Sequence, residues 1–176
     1  SLDVFATGEH HNPPFVPSSP TTLLGYLAGQ TDRLLLSTAT TLITTNDPVK
    51  IAEDYAMLQH LSGGRVDLMM GRGNTGPVYP WFGKDIRDGI PLAVENYHLL
   101  RRLWRERVVD WEGQFRTPLR GYTSTPAPLD DIDRRIVDAL QRQGRMTFDE
   151  LAGQVQLSAS AVLRTSMRRI ASWPTW

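Results

Sequence analysis

Along the first part of the chain the apolar residues alternate between two spacings. Short extended runs at residues 2–5, 34–42 and 66–70 read as strands. Between them the apolar positions keep helical spacing. Pro20, Leu23, Leu24, Leu27 and Ala28 follow a Ser19-Pro20 cap and first turn, and Ile51, Ala52, Tyr55, Leu58 and Leu61 follow Asp47-Pro48. Gly63-Gly64 ends the second helix as a left-handed cap. A third helix is predicted over residues 91–104, with Ala93, Tyr97, Leu100 and Trp104 on one face. The strand starts at 2, 34 and 66 lie 32 residues apart, the length of a βα unit. The fold class is therefore α/β with a parallel sheet, and three such units fit either an eight-fold barrel or an open doubly wound sheet.

Residues 114–128 change to Thr, Pro, Gly and Ser and read as a loop or linker. Beyond them the pattern is helical. Ile132, Ile136, Val137 and Leu140 form one stripe, Phe148, Leu151, Ala152 and Val155 a second, and Val162, Leu163, Met167 and Ile170 a third. Thr147 with Glu150 is a capping box, and the three short helices outline a small all-α helix-turn-helix module. The expected organisation is a partial barrel over 1–120, a linker over 121–130, the helical module over 131–171 and a tail over 172–176.

Charge and composition narrow the partners. The 19 basic and 19 acidic residues cancel, so a polyanion or membrane surface is not signalled by net charge. The cancellation is not uniform, because residues 151–176 carry Arg164, Arg168 and Arg169 and no acid. With no cysteine, disulfides, thiolate metal sites and cysteine nucleophiles are excluded. No apolar run approaches the roughly 18 residues of a membrane helix, and no signal peptide is visible, so a soluble cytoplasmic protein is expected. The first residue is Ser, which suggests that an N-terminal piece precedes it.

Two segments could carry chemistry. Gly71, Gly73 and Gly76 match a dinucleotide fingerprint in spacing, but Pro77, Pro80 and Gly83 delay any helix past the point where its N-terminus could hold a pyrophosphate. The same segment can serve differently: Arg72 between two glycines at a strand's carboxyl end either grips a phosphate or pairs with a carboxylate. Glu9-His10-His11 also follows a strand. A neutral imidazole there could act as a general base or hold a peroxide oxygen, oriented by the adjacent Glu, or could merely be bonded in a loop. Adjacent side chains diverge on an extended backbone, which argues against zinc.

Leu2-Asp3-Val4-Phe5, Gly8-Glu9-His10-His11, Asp47-Pro48-Val49, Leu61-Ser62-Gly63-Gly64-Arg65 and Gly71-Arg72-Gly73, in this order and spacing, resemble the bacterial luciferase-like flavin-dependent monooxygenases. Trp111-Glu112-Gly113, Phe115-Arg116-Thr117-Pro118-Leu119 and Thr123-Ser124-Thr125-Pro126 are also similar to that family, so the resemblance covers residues 1–129. It implies a (β/α)8 TIM barrel binding reduced FMN, supplied by a separate reductase, at its C-terminal face. The implied reaction uses O2 to oxidise a small organic substrate. His10 matches the family's catalytic histidine, flanked by Glu9 and His11; Arg72, between Gly71 and Gly73, matches a flavin-contacting arginine. Ala39-Thr40 matches the family's non-prolyl cis peptide beneath the flavin, with Thr40 where many members have a smaller residue. Three or four of eight units cannot close a barrel, so weak FMN binding and impaired activity are expected, with an oligomer or a complementing chain completing the site.

Leu129-Asp130-Asp131-Ile132-Asp133, Leu140-Gln141-Arg142-Gln143-Gly144-Arg145, Glu150-Leu151-Ala152 and Leu157-Ser158-Ala159-Ser160-Ala161-Val162 resemble the Lrp/AsnC-type helix-turn-helix over residues 129–170. That resemblance implies DNA as a partner. Ser158 and Ser160 would lie near phosphates or base edges, and Arg164, Arg168 and Arg169 on the backbone. Residues 165–167 carry one residue more than the family's usual run. The expected function is a flavin-dependent oxidoreductase, with DNA-binding regulation as the alternative.

Overall fold

The computed structural model describes residues 2–126, and the chain divides into two units between Ala127 and Pro128. The helix-turn-helix and its residues Ser158, Ser160, Arg164, Arg168 and Arg169 lie outside the described residues.

Three βα units follow one another. Strand β1 (Val4–Thr7) leads to helix α1 (Pro20–Gln30), β2 (Leu35–Thr38) and β3 (Thr41–Leu42) to α2 (Pro48–Leu61), and β4 (Val66–Asp67) and β5 (Met70–Gly71) to α3 (Gly89–Leu103). Two 3-10 turns, Gly76–Phe82 and Ile86–Asp88, separate β5 from α3, so no α-helix opens within the glycines of 71–76. The pairs in the three-stranded sheet are parallel, Val4 opposing Leu35 and Leu36 opposing Val66, as is the separate β3–β5 pair, in which Thr41 opposes Met70. The sheet order is β1-β2-β4, and β3 pairs with β5 one step further along the chain.

The strand expected over 34–42 is interrupted. The Ala39–Thr40 peptide is cis, the geometry the resemblance implies at this place. Thr38 bridges the gap in the ladder: its hydroxyl donates to the Met69 carbonyl at 2.6 Å and accepts from the Met69 N–H at 3.0 Å. A side chain thus pairs backbone groups that the sheet leaves open, as buried peptide groups require.

The helices cover the sheet with a core of Leu24 and Ala28 from α1, Ile51, Ala52, Tyr55 and Leu58 from α2, and Leu99, Leu100 and Leu103 from α3, packed with Leu36 and Val109. On α3 the buried face is Leu92, Asn96, Leu99, Leu100 and Leu103; of the expected stripe Leu100 is buried, Ala93 and Trp104 pack against the core, and Tyr97 is exposed, so the buried face is wider than expected and centred to one side of that stripe. The polar Asn96 at its centre conceals that stripe from hydrophobic periodicity. Its amide donates to the Ile43 carbonyl at 2.8 Å, so it is buried with its hydrogen bond made. Asp47 caps α2 by accepting from the Val49 N–H at 2.8 Å, whereas the Ser19 hydroxyl bonds the Thr22 hydroxyl instead of a backbone N–H. Gly63 and Gly64, with φ of 66° and 89°, turn the chain out of α2 in left-handed backbone that favours glycine.

The stretch from Gln114 onward is not all loop. Strands β6 (Val109–Trp111) and β7 (Leu119–Tyr122) form an antiparallel hairpin whose Trp111, Leu119 and Tyr122 pack on the core. The Glu95 carboxylate holds the turn, accepting from the N–H groups of Gln114 at 2.7 Å and Phe115 at 3.0 Å. The first unit therefore runs past residue 120, through the hairpin.

Candidate active site

The carboxyl ends of the parallel strands open into a cleft of about 140 Å³, lined by Glu9, His10, His11, Ala39, Thr40, Leu42, Thr45, Gly73, Asn74 and Thr75 among others. Its walls combine two imidazoles with hydroxyl, amide and backbone groups, and no Lys or Arg lines it. The structure thus gathers Glu9, His10, His11, Ala39, Thr40 and Gly73 in one place. Gly71 and Arg72 are not among the cleft's walls.

The Glu-His-His run alternates as extended backbone dictates. Glu9 orients His11, two residues on, rather than the adjacent His10: His11 Nε2 lies 2.8 Å from Glu9 Oε1. The Glu9 carboxylate is only 5% exposed and accepts from the Leu42 N–H at 2.9 Å and from the Asn46 amide at 2.8 and 3.1 Å. The His10 ring instead stacks on Phe15, with ring centres 4.1 Å apart and planes 19° apart, while the His10 backbone N–H donates to the Pro17 carbonyl at 2.9 Å. The Pro-rich loop thus holds one imidazole and a buried carboxylate holds the other.

The glycines provide room. At Gly71 a Cβ would stand 3.0 Å from Thr40 Cβ and closer still to its hydroxyl, so the larger residue at 40 is matched by the absence of a side chain at 71. The Glu9 N–H donates to the Thr40 carbonyl at 3.0 Å, tying the end of β1 to the cis peptide. Arg72 uses its carbonyl structurally, accepting from the Thr44 hydroxyl at 2.5 Å and the Tyr79 hydroxyl at 2.7 Å. Its exposed side chain lies against Gly89 at the start of α3.

Two site residues escaped sequence reasoning. Asn46 precedes Asp47-Pro48 and is masked by that helix-start signal, although it supplies two of the bonds to Glu9. Thr45 has a buried hydroxyl with no hydrogen-bond partner among the described residues, at the cleft wall. An orphaned hydroxyl there suits a ligand acceptor or donor.

Successive parallel βα units with a cleft at the carboxyl ends of the strands define an α/β scaffold of the kind on which enzymes build their sites, and its likeness to solved monooxygenase structures identifies it as part of a TIM barrel. The chain belongs to the luciferase-like monooxygenase family, whose model matches residues 1–139. A second model, the AsnC-type helix-turn-helix domain, matches residues 129–170. The chain is similar to a luciferase-like monooxygenase of Escherichia coli, 40% identical over 65 residues, covering 36% of this chain and 19% of that one. Among solved structures it is similar to the monooxygenase RslO1 of Streptomyces bottropensis, at TM-score 0.67 and 25% identity, covering 97% of this chain and 56% of that one. It also shares its fold with the oxygenating constituent of 3,6-diketocamphane monooxygenase of Pseudomonas putida, solved with FMN, at TM-score 0.62 and 19% identity over 67% of this chain and 34% of that one. The chain spans 23% and 34% of the first two curated relatives it matches. Among the described residues, no helix is long and apolar enough to cross a membrane.

Proposed function

We propose that the chain acts as a flavin-dependent oxidoreductase and that the cleft is the wall against which the flavin ring sits. The observation carrying this reading is the cleft free of Lys and Arg, in which two imidazoles and an orphaned Thr45 hydroxyl lie beside the Ala39–Thr40 peptide. These groups suit the edge of an uncharged heterocycle. Thr45, Asn74 and the backbone at Ala39 and Thr40 would hold the ring, His10 and His11 would exchange protons with the reacting atoms, and Glu9 would position His11. Bound reduced FMN, delivered by a separate reductase, would supply the electrons with which O2 oxidises a small organic substrate.

Arg72 is exposed and has no ion pair among the described residues, and it sits one residue from the cleft wall, so it is the candidate for the cofactor's anionic end. The cleft is smaller than the roughly 300–1,000 Å³ of an enclosing ligand pocket, so weak binding is expected. Among the described residues β1 has one neighbour and Val4 and Leu35 are exposed, which supports an oligomer or complementing chain. Oxygen consumption coupled to an NADH:FMN reductase tests the reading. Activity above the reductase alone, lowered in His10→Ala, is expected; equal rates would overturn it.

A second reading, DNA binding, is favoured by the AsnC-type match over 129–170. With three arginines and no acid in residues 151–176, binding would be weak and salt-sensitive. An electrophoretic shift that persists at ~200 mM salt would contradict weak binding.

A further inference from the structure

We propose that Asn46 and Glu9 are positioning residues that hold His11 as a single tautomer, with the hydrogen on Nε2 and Nδ1 left as an acceptor in the cleft. The use of that acceptor rests on the flavin-site reading, but the geometry does not.

The donors around Glu9 settle the roles. The Leu42 N–H can only donate, and it reaches Oε2 at 2.9 Å. The Asn46 amide nitrogen faces both Glu9 oxygens, at 2.8 and 3.1 Å, and also the Leu42 carbonyl at 2.9 Å. Three acceptor oxygens surround that nitrogen, so a flipped amide would set oxygen against oxygen. An ionised carboxylate only accepts, so His11 Nε2, 2.8 Å from Oε1, carries the hydrogen. A neutral imidazole protonated there presents a lone pair at Nδ1. Nδ1 has no hydrogen-bond partner among the described residues, and His11 lines the cleft. Phe82 braces the ring at 4.7 Å. His10 has no such carboxylate and is held by stacking on Phe15, so the two neighbouring imidazoles are built for different tasks. His11 is the fixed acceptor, suited to a ligand N–H or O–H.

The test is nitrogen-15 NMR of the histidine side chains in the full chain without flavin, with His11→Gln for assignment. The wild type is expected to show His11 protonated at Nε2, unprotonated at Nδ1, with a slowly exchanging Nε2 proton. Asn46→Leu removes the amide donors, and exchange of that proton is expected to accelerate about tenfold or more, as loss of hydrogen bonds to a charged group implies, while the His10 signals stay in place. Asn46→Gln should restore part of the protection, and Asn46→Ser replaces the leucine variant if that one does not fold. A hydrogen on Nδ1 in the wild type, or equal protection in Asn46→Leu and wild type, would overturn the proposal. Failure to bind flavin with the His11 signature intact would overturn the flavin reading alone and leave the positioning role supported.

Discussion

Replacing Gly71 by Ala should destabilise the protein through one identifiable collision. The new Cβ would stand 3.0 Å from Thr40 Cβ and 3.3 Å from its Cγ2, with the hydroxyl nearer still, against about 3.5–4.0 Å for ordinary carbon contacts. Thr40 cannot retreat freely. Its carbonyl accepts from the Glu9 N–H at 3.0 Å, the Thr41 N–H donates to Met69 at 2.9 Å, and the Ile43 N–H donates to the Gly71 carbonyl itself at 2.9 Å. Relief therefore requires an off-rotamer Thr40 or separation of β3 from β5, and overpacking of this kind costs about 1–3 kcal/mol. In urea unfolding followed by tryptophan fluorescence, a slope of about 1–3 kcal/mol/M turns that into a midpoint lowered by about 1 M. Thr40→Ala removes the hydroxyl and Cγ2 but keeps the Cβ, so in that background the cost of Gly71→Ala should fall by about 1 kcal/mol without vanishing. Equal cost in both backgrounds would show that the Thr40 side chain is not the obstacle.

Arg65 donates to the carbonyls of Ala28, Thr31, Leu34 and Ser62 at 2.7–3.0 Å and to the Thr31 hydroxyl at 3.1 Å, so Arg65→Ala should cost about 3 kcal/mol in the same assay and Arg65→Lys should recover little of it. Thr38→Val removes both bonds to Met69, and hydrogen exchange of the Met69 amide should accelerate with a loss of about 1–3 kcal/mol. The Tyr55 hydroxyl bonds the Thr41 hydroxyl, and burial pushes its pKa from 10.0 to about 12. Between those values the unfolded chain has released a proton that the native protein keeps, so stability should fall as pH rises from about 10 to 12, and Tyr55→Phe should flatten that slope. Arg72→Ala should weaken FMN about two- to fivefold while leaving riboflavin unchanged, as an exposed charge contact implies; equal loss for both ligands would place Arg72 on the ring instead.

The parallel βα pattern was legible because its two hydrophobic periods are strong and its Asp47-Pro48 and Gly63-Gly64 boundaries are chemically specific. What stayed hidden depends on contacts between distant residues. Asn96 interrupts the apolar stripe of α3 because its burial depends on the Ile43 carbonyl, 53 positions away in the chain. The break in the second strand falls at the Ala39–Thr40 peptide, where the family resemblance implies a cis bond but the hydrophobic pattern runs on unbroken, and the Thr38 bond to Met69 that bridges it has no local signal. The hairpin strand Leu119–Tyr122 lies in a Thr-, Pro- and Gly-rich stretch, and Glu95 on α3 fixes its turn. At the candidate site the Glu-His-His run was legible as chemistry, but the expected pairing of Glu9 with the adjacent imidazole was not the one formed, because Glu9 meets His11 two residues on. Asn46, the group that sets the Glu9 carboxylate, looks in sequence like part of a helix cap.

Flavin fluorescence quenching reports directly on whether the cleft holds a flavin. Titration of FMN with the full chain should give saturable quenching with a dissociation constant of roughly 10–1,000 μM, and Asn74→Trp, which fills the cleft from an exposed wall position, should abolish it. No saturable quenching, or quenching unchanged in Asn74→Trp, would contradict the assignment of this cleft to a flavin.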